Sequence, residues 1–318
     1  FKQKAKKWYF RCITKLLVGF FVFIFEEVLE VQLGFPKKIK IIFADIKIQH
    51  TVFALPFAVI SAFLAAEGLP EWRISLWILV AMFCARNGAM AFNRIVDAKL
   101  DKLNPRTSER ALPSGKVDVE TYWIFFTVFS IIFIFAAFML NRLAFFLSPV
   151  ALGIVFGYSF AKRFTSLSHL WLGIAISIAP VGAWVAVREE ISLESLVLGA
   201  AVVFWLIGFD IIYSCMDVES DRENSLHSIP QKFGIPAALK FAFFAHCIMV
   251  LFLIGLLYLP ILGWLYLTGV LFVAGLLLYE HSLVRPDDLS RVNTAFFNVN
   301  GIISVLLMSM VVVDCMWV

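Results

Sequence analysis

The sequence predicts an all-α integral membrane protein, a bundle of about nine transmembrane helices preceded by an N-terminal interfacial segment. Three observations carry that prediction. Hydrophobic residues make up 61% of the chain and charged residues only 16%, where a soluble domain carries about 25% charged. Apolar runs near the ~20 residues needed to cross a bilayer recur from residue 43 onward, with no polar stretch of domain size between them. Lys and Arg gather in a few loops, and the formal net charge is a modest +4, which points to membrane topology and away from a nucleic-acid surface.

The elements follow in chain order. Lys2, Lys4, Lys6, Lys7 and Arg11 precede an apolar run over 16–25 that is too short to span, and Glu26, Glu27 and Glu30 follow it. A lysine-rich helix lying on an anionic surface is the preferred reading, so 1–40 is an interfacial segment and 41–318 the transmembrane domain. Lys37, Lys38 and Lys40 flank the first span, 43–66, which Pro56 is expected to kink. The second span, 74–92, runs into a loop bearing Lys99, Lys102, Arg106, Arg110 and Lys116, a density that the positive-inside rule assigns to the cytoplasm. Further spans are expected at 121–140, 143–160, 170–187, 193–213, 239–259, 261–279 and 295–313. Their alternation puts Lys162 and Arg163 on the same side and leaves the opposite side short-looped. The five cysteines form no C-x-x-C pair, and the five histidines show no ligand spacing, so a disulfide framework or a zinc site is not indicated.

Two acidic clusters stand at the ends of apolar runs. Asn93, Asp97 and Asp101 fall at i, i+4 and i+8, on one helical face. Asp210, Tyr213, Asp217 and Asp221 repeat the spacing of four between carboxylates. Like charges so placed repel unless a cation lies between them; Mg²⁺ takes such oxygen ligands and keeps open positions for phosphate oxygens. A solvated acidic helix end is the alternative for either cluster alone. Arg86 and Asp210 each lie seven residues before the next motif residue, Asn93 and Asp217, and hence two turns deeper, where an ionisable group is costly. Tyr158 and Lys162 share a face at the end of the fourth span and can reach an anion held between the clusters, or serve as interfacial anchors. Together these groups suit a metal-bridged polyphosphate beside apolar helices with room for a lipid tail. No P-loop, dinucleotide fingerprint or Ser-His-Asp grouping is present.

N-R-x-x-D-x-x-x-D from Asn93 to Asp101, R-x-L-P-S-G from Arg110, Y-x-x-x-K from Tyr158, and D-x-x-Y-x-x-x-D-x-x-x-D from Asp210 resemble, in that order, the UbiA superfamily of intramembrane aromatic prenyltransferases. The resemblance covers about residues 43–313. It implies a nine-helix bundle that binds Mg²⁺ and the diphosphate of a polyprenyl donor, with the prenyl tail in a lipid-open tunnel. Carried over by motif, Asn93, Asp97, Asp101, Asp217 and Asp221 are metal and diphosphate ligands. Arg86, Tyr158 and Lys162 hold diphosphate or stabilise charge, Asp210 lies near the acceptor phenol, and Arg110 near the loop covering the site. Arg94 departs from the pattern, since many members have a further Asp there.

Residues 50–58 with 217–234 resemble the bacterial group labelled 4-hydroxybenzoate polyprenyltransferase, which implies an aromatic hydroxy acid acceptor, quinone biosynthesis and a multi-pass inner-membrane enzyme facing the cytoplasm. The same group includes enzymes prenylating 1,4-dihydroxy-6-naphthoate in the futalosine menaquinone route. Two rivals stand apart from it. A CDP-alcohol phosphotransferase needs a D-G-x-x-A-R core, which is absent, and a cation-coupled transporter places its carboxylates near the midplane rather than at helix ends.

Overall fold

The computed structural model describes residues 37–46 and 54–317. The interfacial helix expected within 1–40 therefore lies outside the described residues, apart from 37–40. Twelve α-helices make up the described chain: α1 Lys37–Asp45, α2 Leu55–Ala66, α3 Trp72–Leu103, α4 Val119–Leu140, α5 Arg142–Ala161, α6 Ser168–Arg188, α7 Leu193–Ser214, α8 Val218–Glu223, α9 Ile229–Phe233, α10 Ile235–Gly255, α11 Trp264–Leu283 and α12 Asn300–Trp317. A 3₁₀ turn, Cys215–Asp217, links α7 to α8, and a π-helical turn, Thr294–Val299, opens α12. Among the described residues, eight helical segments are long and apolar enough to cross a membrane, with Leu55–Ala66 as a shorter apolar helix. The protein is a multi-pass helical membrane protein.

Local chemistry sets the boundaries. α3 runs 32 residues and carries the whole first acidic motif within one helix. It ends at Asn104, held extended at φ −92°, ψ 119°, because Pro105 disfavours helical geometry in the residue before it. Asp118 caps α4 by accepting from the Thr121 amide, and Asn141 caps α5 by accepting from that of Ala144. Ser192 and Ser195 form a reciprocal capping box at the start of α7.

Of the expected span over 43–66, the described residues hold the end of α1 and the whole of α2, and 47–53 lie outside the described residues. Pro56 does not kink a span. It sits in the first turn of α2, where its missing N–H would have had no intrahelical partner.

α7 forms the centre of the bundle, with Trp205, Leu206, Phe209, Ile211 and Ile212 buried in the main core. It packs closely on α6 and α10 through glycines. A Cβ on Gly173 would come 2.9 Å from the Val203 carbonyl, and one on Gly208 would lie 2.1 Å from His246 Nε2. At the end of the bundle remote from the acidic motifs, α2 and α6 both stop at left-handed residues, Glu67 and Glu189. Arg188 joins these caps, donating to Glu67 Oε1 at 2.6 Å and to the Ala65 carbonyl.

Candidate active site

The site lies where α3, α5, α6, α7 and the α3–α4 loop meet. Asn93 donates to Asp97 Oδ2 at 2.9 Å, so the i, i+4 pair predicted on α3 is formed, and it reaches Ser159 Oγ on α5 at 3.4 Å. Arg163, just past α5, donates to Asp97 Oδ1 at 3.1 Å and to the Val96 carbonyl at 2.8 Å. Arg110, on the α3–α4 loop, donates to Asp101 Oδ1 at 2.6 Å.

The second motif departs from the single helical face that its spacing predicts. α7 ends at Ser214, a 3₁₀ turn spans Cys215–Asp217, and Asp221 belongs to the separate helix α8. Ser214 Oγ and Cys215 Sγ both turn back onto the Ile211 carbonyl, at 2.8 and 3.4 Å, at this end of α7. The break swings Asp217 toward the α3–α4 loop. There Arg106 grips it with a fork, Nε to Oδ1 at 3.1 Å and Nη2 to Oδ2 at 2.6 Å, while its Nη1 donates to the Tyr213 hydroxyl at 2.7 Å. Burial acts to lower the Arg106 pKa, but Asp217 and Tyr213 outweigh it and hold the guanidinium above its usual value. Lys162 Nζ lies 3.9 Å from Asp221 Oδ2, and its carbonyl accepts from the His227 amide at 2.7 Å, which ties α5 to the segment after α8.

Each of the four motif carboxylates expected to hold metal thus has its own Arg or Lys: Asp97 with Arg163, Asp101 with Arg110, Asp217 with Arg106, and Asp221 with Lys162. Asp210 does not follow that rule. Its Oδ2 lies 2.6 Å from His169 Nδ1 on α6. The alternative partner considered from the sequence, Arg86, instead donates to the Ile46 carbonyl at 3.2 Å. Tyr158 lies between the motifs, within electrostatic reach of both Asp210 and Asp97.

Comparison with known proteins decides the family. The UbiA prenyltransferase family matches residues 54–302. The chain belongs to that family. A 4-hydroxybenzoate octaprenyltransferase of Coxiella burnetii (strain CbuK_Q154) is 32% identical over 244 residues, covering 76% of this chain and 84% of that one. The apo structure of a UbiA homolog from Aeropyrum pernix K1 superposes with a TM-score of 0.77 at 33% identity, over 84% of this chain and 98% of that one. A UbiA homolog from Archaeoglobus fulgidus, bound to DMAPP and Mg²⁺, shares the fold at a TM-score of 0.66 and 20% identity, over 86% and 98% of the two chains. The protein is an enzyme, a UbiA prenyltransferase.

The UbiA residues fit a divalent metal of a particular kind. Among the described residues, no three His, Cys, Asp or Glu side chains converge to form a protein-only cage. Mg²⁺ does not require one, because it binds through one or two carboxylates together with substrate phosphates and water. Asp101 Oδ2 and Asp221 Oδ2, one from each motif, are buried with no hydrogen-bond partner and are hard oxygen donors of the right type.

Three residues at the UbiA site carry no motif role in the sequence reading. Arg106 and Arg163 read there only as topological charges. Asp45, at the end of α1, accepts from Arg94 Nε at 3.1 Å, from the Tyr122 hydroxyl at 2.7 Å and from the Ala111 amide at 2.9 Å. Arg94, the residue that departs from the family pattern, is thus paired with Asp45, which balances its charge. The same carboxylate anchors the loop next to Arg110. The adjacency of Arg106 to Pro105, which stops α3, is the signal that could have marked it.

Proposed function

We propose that this enzyme transfers a polyprenyl group from polyprenyl diphosphate to an aromatic hydroxy acid of the 4-hydroxybenzoate type, in quinone biosynthesis, at the cytoplasmic face of a bacterial inner membrane. The observation that carries the reading is the meeting of two acidic segments, each charge-matched by Arg or Lys, at one end of an apolar bundle. The likeness to a 4-hydroxybenzoate octaprenyltransferase supports the acceptor class, and the structural neighbour bound to DMAPP and Mg²⁺ supports the donor and the metal. The cytoplasmic assignment rests on Lys99, Lys102, Arg106, Arg110, Lys116, Lys162 and Arg163, all on the loops at the site's end.

Asn93, Asp97, Asp101, Asp217 and Asp221 would hold Mg²⁺ and, through it, the diphosphate, and the bound ion would supply positive charge against the leaving group. Lys162, Arg86 and Arg110 donate to diphosphate oxygens, and Tyr158 donates to the same group from between the motifs. The allylic carbon–oxygen bond breaks with its electron pair leaving on the diphosphate, the ring carbon ortho to the acceptor hydroxyl attacks the allylic cation, and the proton from that carbon passes to the released diphosphate. Asp210 accepts the phenol hydrogen bond and raises the electron density of the ring.

The assay that tests this uses purified protein, Mg²⁺ and a polyprenyl diphosphate, with 4-hydroxybenzoate and 1,4-dihydroxy-6-naphthoate offered separately. Prenylated 4-hydroxybenzoate is the expected product. Turnover of the naphthoate alone would move the enzyme to the menaquinone route, and no prenylation of either acceptor would overturn the reading.

A further inference from the structure

The exception in the charge pattern, Asp210 with His169, carries an assignment of its own. His169 is the second residue of α6 and is fully buried, while the Asp210 side chain keeps 18% of its surface exposed. The imidazole touches two partners. Nδ1 lies 2.6 Å from Asp210 Oδ2, and Nε2 lies 3.5 Å from the backbone nitrogen of Ile229, at the start of α9. A backbone N–H can only donate, so Nε2 accepts, and the ring hydrogen is left on Nδ1, the atom facing Asp210. The tautomer is therefore set by the segment that follows the second acidic motif.

We infer that His169 is the positioning residue of the acceptor subsite, holding Asp210 Oδ2 through its Nδ1–H so that the other carboxylate oxygen is presented to the hydroxyl of the aromatic acceptor. The inference rests on the acceptor-side role given to Asp210 above and deepens it. The partner types separate two kinds of carboxylate. Asp97, Asp101, Asp217 and Asp221 face fixed cations, the arrangement suited to exchange with a polyanionic, metal-bridged donor. Asp210 is held by a single directional hydrogen bond, which fixes one oxygen and leaves the acidic group free to accept from a phenol. A base oriented by a third group is the recurring arrangement where a proton-accepting atom must point one way.

Two substitutions divide the contacts of His169. In His169→Gln the amide oxygen falls near the Nε2 position, keeping an acceptor for Ile229 while removing the donor to Asp210. In His169→Asn the amide nitrogen falls near Nδ1 and keeps that donor. Donor affinity is measured by direct binding of a non-hydrolysable polyprenyl thiodiphosphate with Mg²⁺, and acceptor affinity by titrating 4-hydroxybenzoate into that complex. His169→Gln should weaken acceptor binding and kcat/KM for acceptor about tenfold, the worth of one oriented hydrogen bond, with thiodiphosphate affinity unchanged; His169→Asn should recover most of the loss. Wild-type acceptor binding in His169→Gln, or equal loss of donor binding, overturns the inference. Asp210→Asn is the control. If it also leaves acceptor binding intact, the acceptor role of Asp210 itself fails; if it impairs binding while His169→Gln does not, only the positioning role fails.

Discussion

Arg106 straddles the Asp217 carboxylate with both ends of its guanidinium, so the loop leaving α3 is fastened to the segment leaving α7 across 111 residues of sequence. The same guanidinium lies 5.2 Å from the Tyr213 ring centroid and bonds its hydroxyl. Arg106→Ala should therefore release the loop: amide exchange over 104–118 should rise, and turnover should fall by about tenfold or more. Arg106→Lys should rescue little, since an ammonium cannot reproduce the fork. Unchanged exchange in the loop would show that this grip does not hold it.

Asp97→Ala and Asp217→Ala should each abolish turnover and leave the protein folded. The cations they strand, Arg163 and Arg106, keep 40% and 39% of their side-chain surface exposed and can turn to water. The stability cost should therefore stay within about 1 kcal/mol. Lys162→Ala should raise the KM for donor more than that for acceptor. Near-normal turnover of either aspartate variant at ordinary Mg²⁺ would sink the metal assignment.

The Arg94–Asp45 pair should behave in the opposite way. Its side chains are 4% and 7% exposed, so removing either partner strands a buried charge, at a cost of about 3–5 kcal/mol. Asp45→Ala should lower the melting temperature in detergent well below that of Asp217→Ala. Removing both charges should recover part of the loss. Additive losses in that double-substitution cycle would contradict direct coupling.

A buried polar network below the second motif offers a fourth test. Asn300 donates to Glu280 Oε1 at 2.9 Å and to the Ala295 carbonyl at 3.1 Å, and accepts from Trp205 Nε1 at 2.7 Å. It so pins the π turn that stacks Phe296 against Tyr213, with ring centroids 4.1 Å apart. Asn300→Ala should cost about 1–3 kcal/mol by orphaning those partners. Glu280 is fully buried with no hydrogen-bond partner at Oε2, so Glu280→Gln should leave the melting temperature level or raise it, because a carboxylate in a membrane interior is costly. A large fall for Glu280→Gln would mean that its second oxygen is satisfied.

Periodicity made most of this visible in the sequence, and its reach explains what stayed hidden. The apolar runs located the bundle helices, and the spacing of Asn93 and Asp97 gave a pair that is formed in the structure. The same rule failed at Asp217, because it assumes that a helix continues, and α7 ends at Ser214 with a 3₁₀ turn over Cys215–Asp217. It is also blind to partners on other helices. Arg163 lies 66 residues from Asp97, and Arg94 lies 49 from Asp45, so a departure from the family motif reads as lost negative charge until the facing helix is known.

The pairing across the site also has a direction in time. Asp101 meets its partner nine residues later, and Asp97 meets its partner 66 later, whereas Asp217 finds an arginine made 111 residues before it. A chain that enters the bilayer from its N-terminus thus has its loop arginines in place before the second acidic segment leaves the ribosome. The pair formed by Arg106 and Asp217 thus closes a contact between an early-made loop and a late-made segment, and its acidic half is the part that must arrive last.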